Sequence, residues 1–298
     1  MITKKHDELI NKAVEYFLNN PDESYTSVAK KFGVNRQTIS SKIKNAPDRR
    51  KKAVNSNYFE KIDTEEKAYW LGFFEADGCI KADGTIQLSL CIEDYKHVEK
   101  FKQAIESDHN IKLENNGFGD KTSKLAVIRF GDKKMVQDLN NLGVYRNKTL
   151  KEKPPTNLRE DLVKPYIRGL MDGDGWFSTS IDNRRGYINY ELGLGSSEEM
   201  LVWVVKQLST HINIKPRKIT EYKKIHRVRY SGKDVLKILD WLYKDSTIYL
   251  DRKYEKYRLL PSQDKTMRSP ERISAELSED GVKPKGSLFE TEGTDEVN

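Results

Sequence analysis

Two stretches decide how this chain is read: Trp70-Leu-Gly-Phe-Phe-Glu-Ala-Asp-Gly78 and Tyr166-Ile-Arg-Gly-Leu-Met-Asp-Gly-Asp-Gly175. Each is an apolar run with small residues four apart, Gly72 and Ala76 in the first, Gly169 and Gly173 in the second. Small residues at that helical spacing let two backbones approach closely. Each run ends in Asp-Gly, where glycine is expected to let the chain turn out of its helix. One such stretch is an ordinary capped helix end. Two of them packed side by side would bring Asp77 and Asp174 together, and paired carboxylates repel unless a cation sits between them.

A second match at nearly the same separation makes the pair part of a repeat. Ile128-Arg-Phe-Gly-Asp-Lys-Lys-Met-Val-Gln-Asp-Leu-Asn-Asn-Leu142 aligns without gaps to Val228-Arg-Tyr-Ser-Gly-Lys-Asp-Val-Leu-Lys-Ile-Leu-Asp-Trp-Leu242. Each copy reads helix, two strands, helix, two strands, helix. Ile86, Leu88, Leu90 and Ile92 alternate with Thr85, Gln87 and Ser89, and Ile188, Tyr190, Leu192 and Leu194 alternate with Asn189 and Glu191. Strands over Leu125–Phe130 and Ile225–Tyr230 add Arg129, Arg227 and Arg229 to the polar side. The expected class is therefore α+β, with sheets that have one helix-covered face and one polar face open to a partner. Asp94 and Ser196 are the expected caps of the middle helices, Ser196 in a capping box with Glu199.

Residues 1–46 read as a separate helical unit. Leu9, Ile10, Ala13, Val14 and Phe17 line one helix face, and Pro21 ends that helix. Val28, Ala29 and Phe32 then face inward, Gly33 supplies a turn, and Asn35 caps a helix carrying Ile39 and Ile43. Arg36, Gln37, Ser40, Ser41, Lys42 and Lys44 are left exposed, and the segment resembles a helix-turn-helix. A basic linker over 47–57, repeats over 58–155 and 156–261, and a disordered acidic tail over 262–298 complete the expected organisation.

Net charge is +7, and its distribution sharpens the reading. Residues 26–52 carry nine Lys/Arg against one Asp, whereas residues 271–298 carry eight acids against three bases. A basic body favours polyanions, nucleic acid first among them. No apolar run is long enough to span a membrane, and Met1-Ile-Thr-Lys-Lys-His6 lacks the apolar core of a secretory leader. Cys79 and Cys91 suit a reducing compartment, so a cytoplasmic or nucleoid location is expected.

The paired motifs resemble those of the LAGLIDADG homing endonucleases in their single-chain, two-motif form, over about residues 58–260. The resemblance implies two pseudo-symmetric αββαββα halves forming a saddle-shaped sheet over double-stranded DNA, in a monomer. It also implies cleavage of both strands with Mg²⁺ (or Mn²⁺), leaving short 3′ overhangs. The family's metal-binding acids fall on Asp77 and Asp174, and its basic residues near the reaction fall on Lys148 and Lys253, with Arg252 a possible substitute. Glu75 and Asp172, two residues earlier, should point away from the metal. The DNA-contacting set expected from the strands and the N-terminal unit is Arg36, Gln37, Ser40, Lys42, Lys44, Thr85, Gln87, Ser89, Arg129, Asn189, Glu191, Arg227 and Arg229. Family members that splice proteins need an N-terminal nucleophile and a His-Asn ending, neither of which this sequence shows. A transcriptional regulator on the same fold and an intron RNA maturase are the competing readings.

Overall fold

The computed structural model describes residues 2–20, 23–43, 53–116, 123–148, 150–182 and 187–260. Pro21, Lys44, Arg49–Lys52 and the 262–298 segment lie outside the described residues. The chain divides into two compact units, Met1–Asn55 with Lys102–Asn110, and Ser56–Phe101 with Ile111–Asn298.

In the first unit α1 (Ile2–Asn19), α2 (Tyr25–Phe32) and α3 (Arg36–Ile43) enclose Ile10, Ala13, Phe17, Val28, Val34 and Ile39. Ser24 caps α2 by accepting the Ser27 N–H at 3.0 Å, and Gly33 leaves that helix at φ 62, a conformation that costs glycine little. Asn35 Oδ1 accepts the Gln37 N–H at 2.8 Å and starts α3. The expected unpacked linker does not extend to its last residues. The Asn55 N–H reaches Ile105 O at 2.9 Å, and the Asp108 N–H reaches Ala53 O at 3.2 Å. Backbone groups take these partners whatever the polarity of the side chains.

The second unit holds the repeat. Its first copy runs α4 (Glu65–Asp77), β1 (Gly78–Ile80), β2 (Thr85–Cys91), a 3₁₀ turn (Ile92–Asp94), α5 (Tyr95–Ala104), β3 (Lys112–Asn115), β4 (Lys124–Gly131) and α6 (Lys133–Asn141). The second runs α7 (Glu160–Gly173), β5 (Gly175–Asp182), β6 (Tyr187–Ser196), α8 (Glu198–Ile212), β7 (Thr220–Tyr222), β8 (Ile225–Ser231) and α9 (Lys233–Tyr243), followed by α10 (Asp251–Arg258). The sheets are antiparallel with equivalent orders, β1-β2-β4-β3 and β5-β6-β8-β7. Ile86, Leu88 and Leu90 are buried while Thr85, Gln87 and Ser89 are partly open, and Leu192 and Leu194 are buried beside the more open Asn189 and Glu191.

Between the sheets' helical layers lies the α4–α7 pair. Thr64 starts α4 by accepting the Lys67 N–H at 3.2 Å, and every residue from Ala68 to Glu75 is buried. That is the pattern of a helix covered all round, here by α7, by the strands, and by Phe101 and His97 of α5. The small residues set the approach. A methyl group on Gly72 would lie 2.1 Å from Tyr166 O, one on Gly169 2.1 Å from Tyr69 O, and one on Gly173 2.3 Å from Ala76 Cβ.

Two local expectations need correction. The glycines after the acids do not supply a positive φ: Gly78 sits at φ −72. They supply room, since a Cβ at Gly78 would strike the Phe74 ring at 2.3 Å and one at Gly175 would meet Met171 O at 2.6 Å. The caps of the middle helices also differ. Ser197, not Ser196, caps α8 by accepting the Met200 N–H at 3.2 Å, because Ser196 is still paired in β6. Asp94 ends the 3₁₀ turn before α5 and engages Arg252 instead.

Candidate active site

Asp77 is the last residue of α4, and Asp174 follows α7 with its N–H on Leu170 O at 3.0 Å. Gly173 lets the two ends meet: a Cβ there would lie 3.3 Å from Asp77 Oδ2. Both carboxylates reach solvent, yet each stands among many protein atoms. Lost hydration, and then repulsion from Asp174, pushes the Asp77 carboxyl up to about 6, although Lys253, Lys148 and Arg252 pull it down. Lost hydration raises Asp174 as well, with Glu152 adding to the rise and Lys148 and Lys253 opposing it. Two neighbouring carboxylates held in this way repel, and a cation between them would relieve that repulsion. Among the described residues no group of three or more His, Cys, Asp or Glu is placed to hold a metal ion.

A lysine stands behind each helix end. Lys148 Nζ donates to Glu75 O and, at 2.8 Å, to Ala76 O. Lys253 Nζ donates to Met171 O at 2.6 Å, Asp172 O at 2.8 Å and Gly175 O at 2.5 Å. Each ammonium thus takes up orphan carbonyls at the negative end of its own repeat's helix. Lys253 is buried, and lost hydration brings its pKa down to about 8. Behind α7, Asp172 is fully buried and accepts from Tyr69 at 2.8 Å, Tyr243 at 2.5 Å and the Leu250 N–H at 2.8 Å. Glu75, its counterpart on α4, is also buried, but its Oε1 has no hydrogen-bond partner among the described residues. Burial pushes that carboxyl up to about 8.

The polar strand positions share the open faces of the two sheets. In the first, Gln87 pairs in register with Arg129, whose Nε reaches Gln87 Oε1 at 2.5 Å and whose terminal nitrogens grip Glu114. Thr85 and Ser89 flank Gln87 on the same face. In the second, Arg229 lies 3.6 Å from Glu191, the Arg227 guanidinium sits 4.4 Å from the centre of the Tyr222 ring, and Asn189 is exposed. In the first unit Arg36, Gln37, Ser40 and Lys42 are exposed along α3.

Three side chains around the site are unmarked in the sequence, and Asp94 is marked there only as a cap. Glu114 clamps Arg129, and nothing local marks it. Trp176 pairs with Gly193, where a Cβ would strike its ring at 2.2 Å; alternation with Ser178 and Ser180 could have placed it on the open face. Asp94 and Glu152 act through contacts between the repeats, which no spacing within one repeat reveals.

Residues 161–242, most of the second repeat, match the family of LAGLIDADG-like domains. The match covers that segment and not the rest of the chain. Three solved structures are also similar. Meganuclease I-SmaMI bound to uncleaveable DNA is similar at 13% identity and a TM-score of 0.48, over 73% of this chain and 98% of that one. The I-LtrWI LAGLIDADG homing endonuclease bound to target DNA is similar at 11% and 0.45, over 77% and 94%. Full-length DUF199/WhiA from Thermatoga maritima is similar at 17% and 0.42, over 76% and 71%. No curated protein sequence matches the chain.

Proposed function

We propose that this chain is a site-specific homing endonuclease that cuts both strands of DNA with Mg²⁺ (or Mn²⁺) held by Asp77 and Asp174. The observation that carries this reading is the pair of electrostatically coupled acids at equivalent helix ends, each backed by a lysine. Mg²⁺ prefers few carboxylates, with waters and phosphate oxygens completing its shell, and when bound it activates water and stabilises the leaving oxygen. Asp77 and Asp174 hold the ion. Lys148 and Lys253 fix the helix ends that present the acids and bring positive charge near the phosphate. Thr85, Gln87, Ser89, Arg129, Asn189, Glu191, Arg227 and Arg229 read bases from the open sheet faces. Arg36, Gln37, Ser40 and Lys42 of α3, with Lys44 beyond it, read a further stretch as a helix-turn-helix would. Both acids belong to one chain, so a monomer suffices.

The test is cleavage of a plasmid library carrying random inserts, with Mg²⁺, followed by mapping of the ends. Asp77→Asn or Asp174→Asn should abolish double-strand cutting while DNA binding persists. Full cutting by either variant overturns the reading. A parent protein that binds DNA tightly but never cuts it, with both acids intact, makes it a regulator instead.

A further inference from the structure

Two residues beyond each acid the chain reaches the open face of its sheet, at Cys79 in the first repeat and at Trp176 in the second. The register makes these positions equivalent. Cys79 lies opposite Gln87, which lies opposite Arg129, whereas Trp176 lies opposite Gly193, which lies opposite Arg229. The side chains of the first row are small or polar. Arg129 Nε donates to Gln87 Oε1 at 2.5 Å, so the amide nitrogen of Gln87 is the end left for a partner, with Cys79 exposed beside it.

In the second row the indole of Trp176 lies across Gly193. A Cβ on that glycine would fall 2.2 Å from Cζ2, 2.5 Å from Cη2 and 2.6 Å from Cε2 of the ring, so no other residue leaves room for it. Leu192 and Leu194, on either side of Gly193, are buried towards the helices, which puts the ring on the opposite face, where it is partly exposed. Lys253 Nζ fixes the start of this strand by donating to Gly175 O at 2.5 Å. Arg229, the cation of the row, lies 3.6 Å from Glu191. The ring thus presents carbon where the first row presents N–H groups. The fold itself does not require an aromatic residue here, since Cys79 holds the equivalent place.

We propose that Trp176 is a specificity-determining residue whose indole, seated on Gly193, receives the C5-methyl group of one thymine in the half-site under the second repeat, where the first repeat reads by hydrogen bonds from Gln87. The thymine methyl is the one apolar group that a base pair presents in the major groove. Burying it against the ring favours thymine by about fourfold in affinity. Gln87, with its oxygen taken by Arg129, offers donors to acceptor atoms on a base edge instead. The two equivalent rows therefore ask for different bases, and the recognised site is not a palindrome at these positions. This role rests on DNA lying against the open sheet faces, as in the endonuclease reading, and is independent of cutting.

The test is selection of bound duplexes from a randomised pool by the full chain without Mg²⁺, followed by affinity measurements on the selected duplex. Trp176→Ala should erase a thymine preference at one position and leave the others as they were, while Trp176→Phe keeps it. Replacing that thymine by deoxyuridine, which removes only the methyl, should weaken the parent by about fourfold and Trp176→Ala by less than about 1.5-fold. Trp176→Cys/Gly193→Gln writes the first row into the second, and should shift the preference there to the base selected at the equivalent position of the other half. An unchanged selection after Trp176→Ala, a loss spread evenly over all positions, or equal sensitivity of both proteins to deoxyuridine overturns the role of Trp176. If Trp176→Ala does not fold, a parent indifferent to deoxyuridine at every selected thymine overturns it as well. A parent that selects a sequence but never cuts it overturns the endonuclease reading and leaves this role standing, whereas a parent that selects no sequence overturns both.

Discussion

Asp172 and Glu75 hold equivalent places on α7 and α4, two residues before the acids, and both are buried. Three donors converge on Asp172, from Tyr69 of the first repeat and from Tyr243 and Leu250 of the second. Glu75 has an oxygen without a partner among the described residues and a pKa raised to about 8, so it is mostly protonated at neutral pH. One helix end is thus backed by a completed side-chain network, whereas the other keeps the Lys148 contacts and a buried carboxyl with an unpartnered oxygen. The repeat fixes backbone geometry in both halves, while the polar chemistry around it has diverged.

The largest effect expected from this contrast lies at Asp172. Asp172→Ala leaves the Tyr243 hydroxyl and the buried Leu250 N–H without their acceptor, and Tyr69 with His97 Nε2 as its remaining partner, and should cost about 3–5 kcal/mol in urea unfolding. Glu75→Gln replaces a carboxyl that is already mostly neutral and should change stability by less than about 1 kcal/mol. Equal costs at the two positions would erase the distinction.

The lysines give a smaller contrast. Lys253→Met uncovers three carbonyls and should cost about 1–3 kcal/mol, whereas Lys148→Met, with two carbonyls and a more open site, should cost about 1 kcal/mol or less. The pH dependence sharpens it. The pKa of Lys253 falls from the usual 10.5 to about 8 on folding, so between those values the unfolded chain binds more protons than the native one. Stability relative to Lys253→Met should therefore rise with pH from about 8 towards 10.5. A flat difference would mean that Lys253 is not desolvated in solution.

The smallest effect concerns Asp77 and the ion. Its carboxyl rises from 3.8 to about 6 on folding, so its contribution to metal-free stability is present below pH 3.8 and is lost as pH climbs through 6. The rise in Tm on adding Mg²⁺ should accordingly be negligible near pH 5 and grow above 6. Asp77→Asn should remove that pH dependence, as followed by calorimetry with and without Mg²⁺.

Much of this architecture was legible because it is written in periodic signals. The spacing of Gly72, Ala76, Gly169 and Gly173 announced a close helix pair, and strand alternation placed Gln87 and Glu191 on open faces. What stayed hidden depends on contacts distant in sequence. Ser196 and Ser197 are equally good cap residues, and only the length of β6 decides between them. Asp94 reads as a cap until Arg252, from the far end of the other repeat, arrives beside it. The glycines after the acids look like turn residues, whereas they answer to the Phe74 ring and to the Met171 backbone.

The crossed junctions carry a consequence for modularity. The segment after the first repeat docks Glu152 on Ser197 at the start of α8, and the segment after the second docks Arg252 on Asp94 ahead of α5. Neither half is therefore a portable cassette. A chimera joined between the repeats, with a foreign second half, would set an unrelated residue against the native, buried Asp94. A graft that moves residues 92–97 together with 250–253 keeps each brace with its own partner. Exchange of either half faces the same constraint, because a new second half must bring its own partner for Asp94.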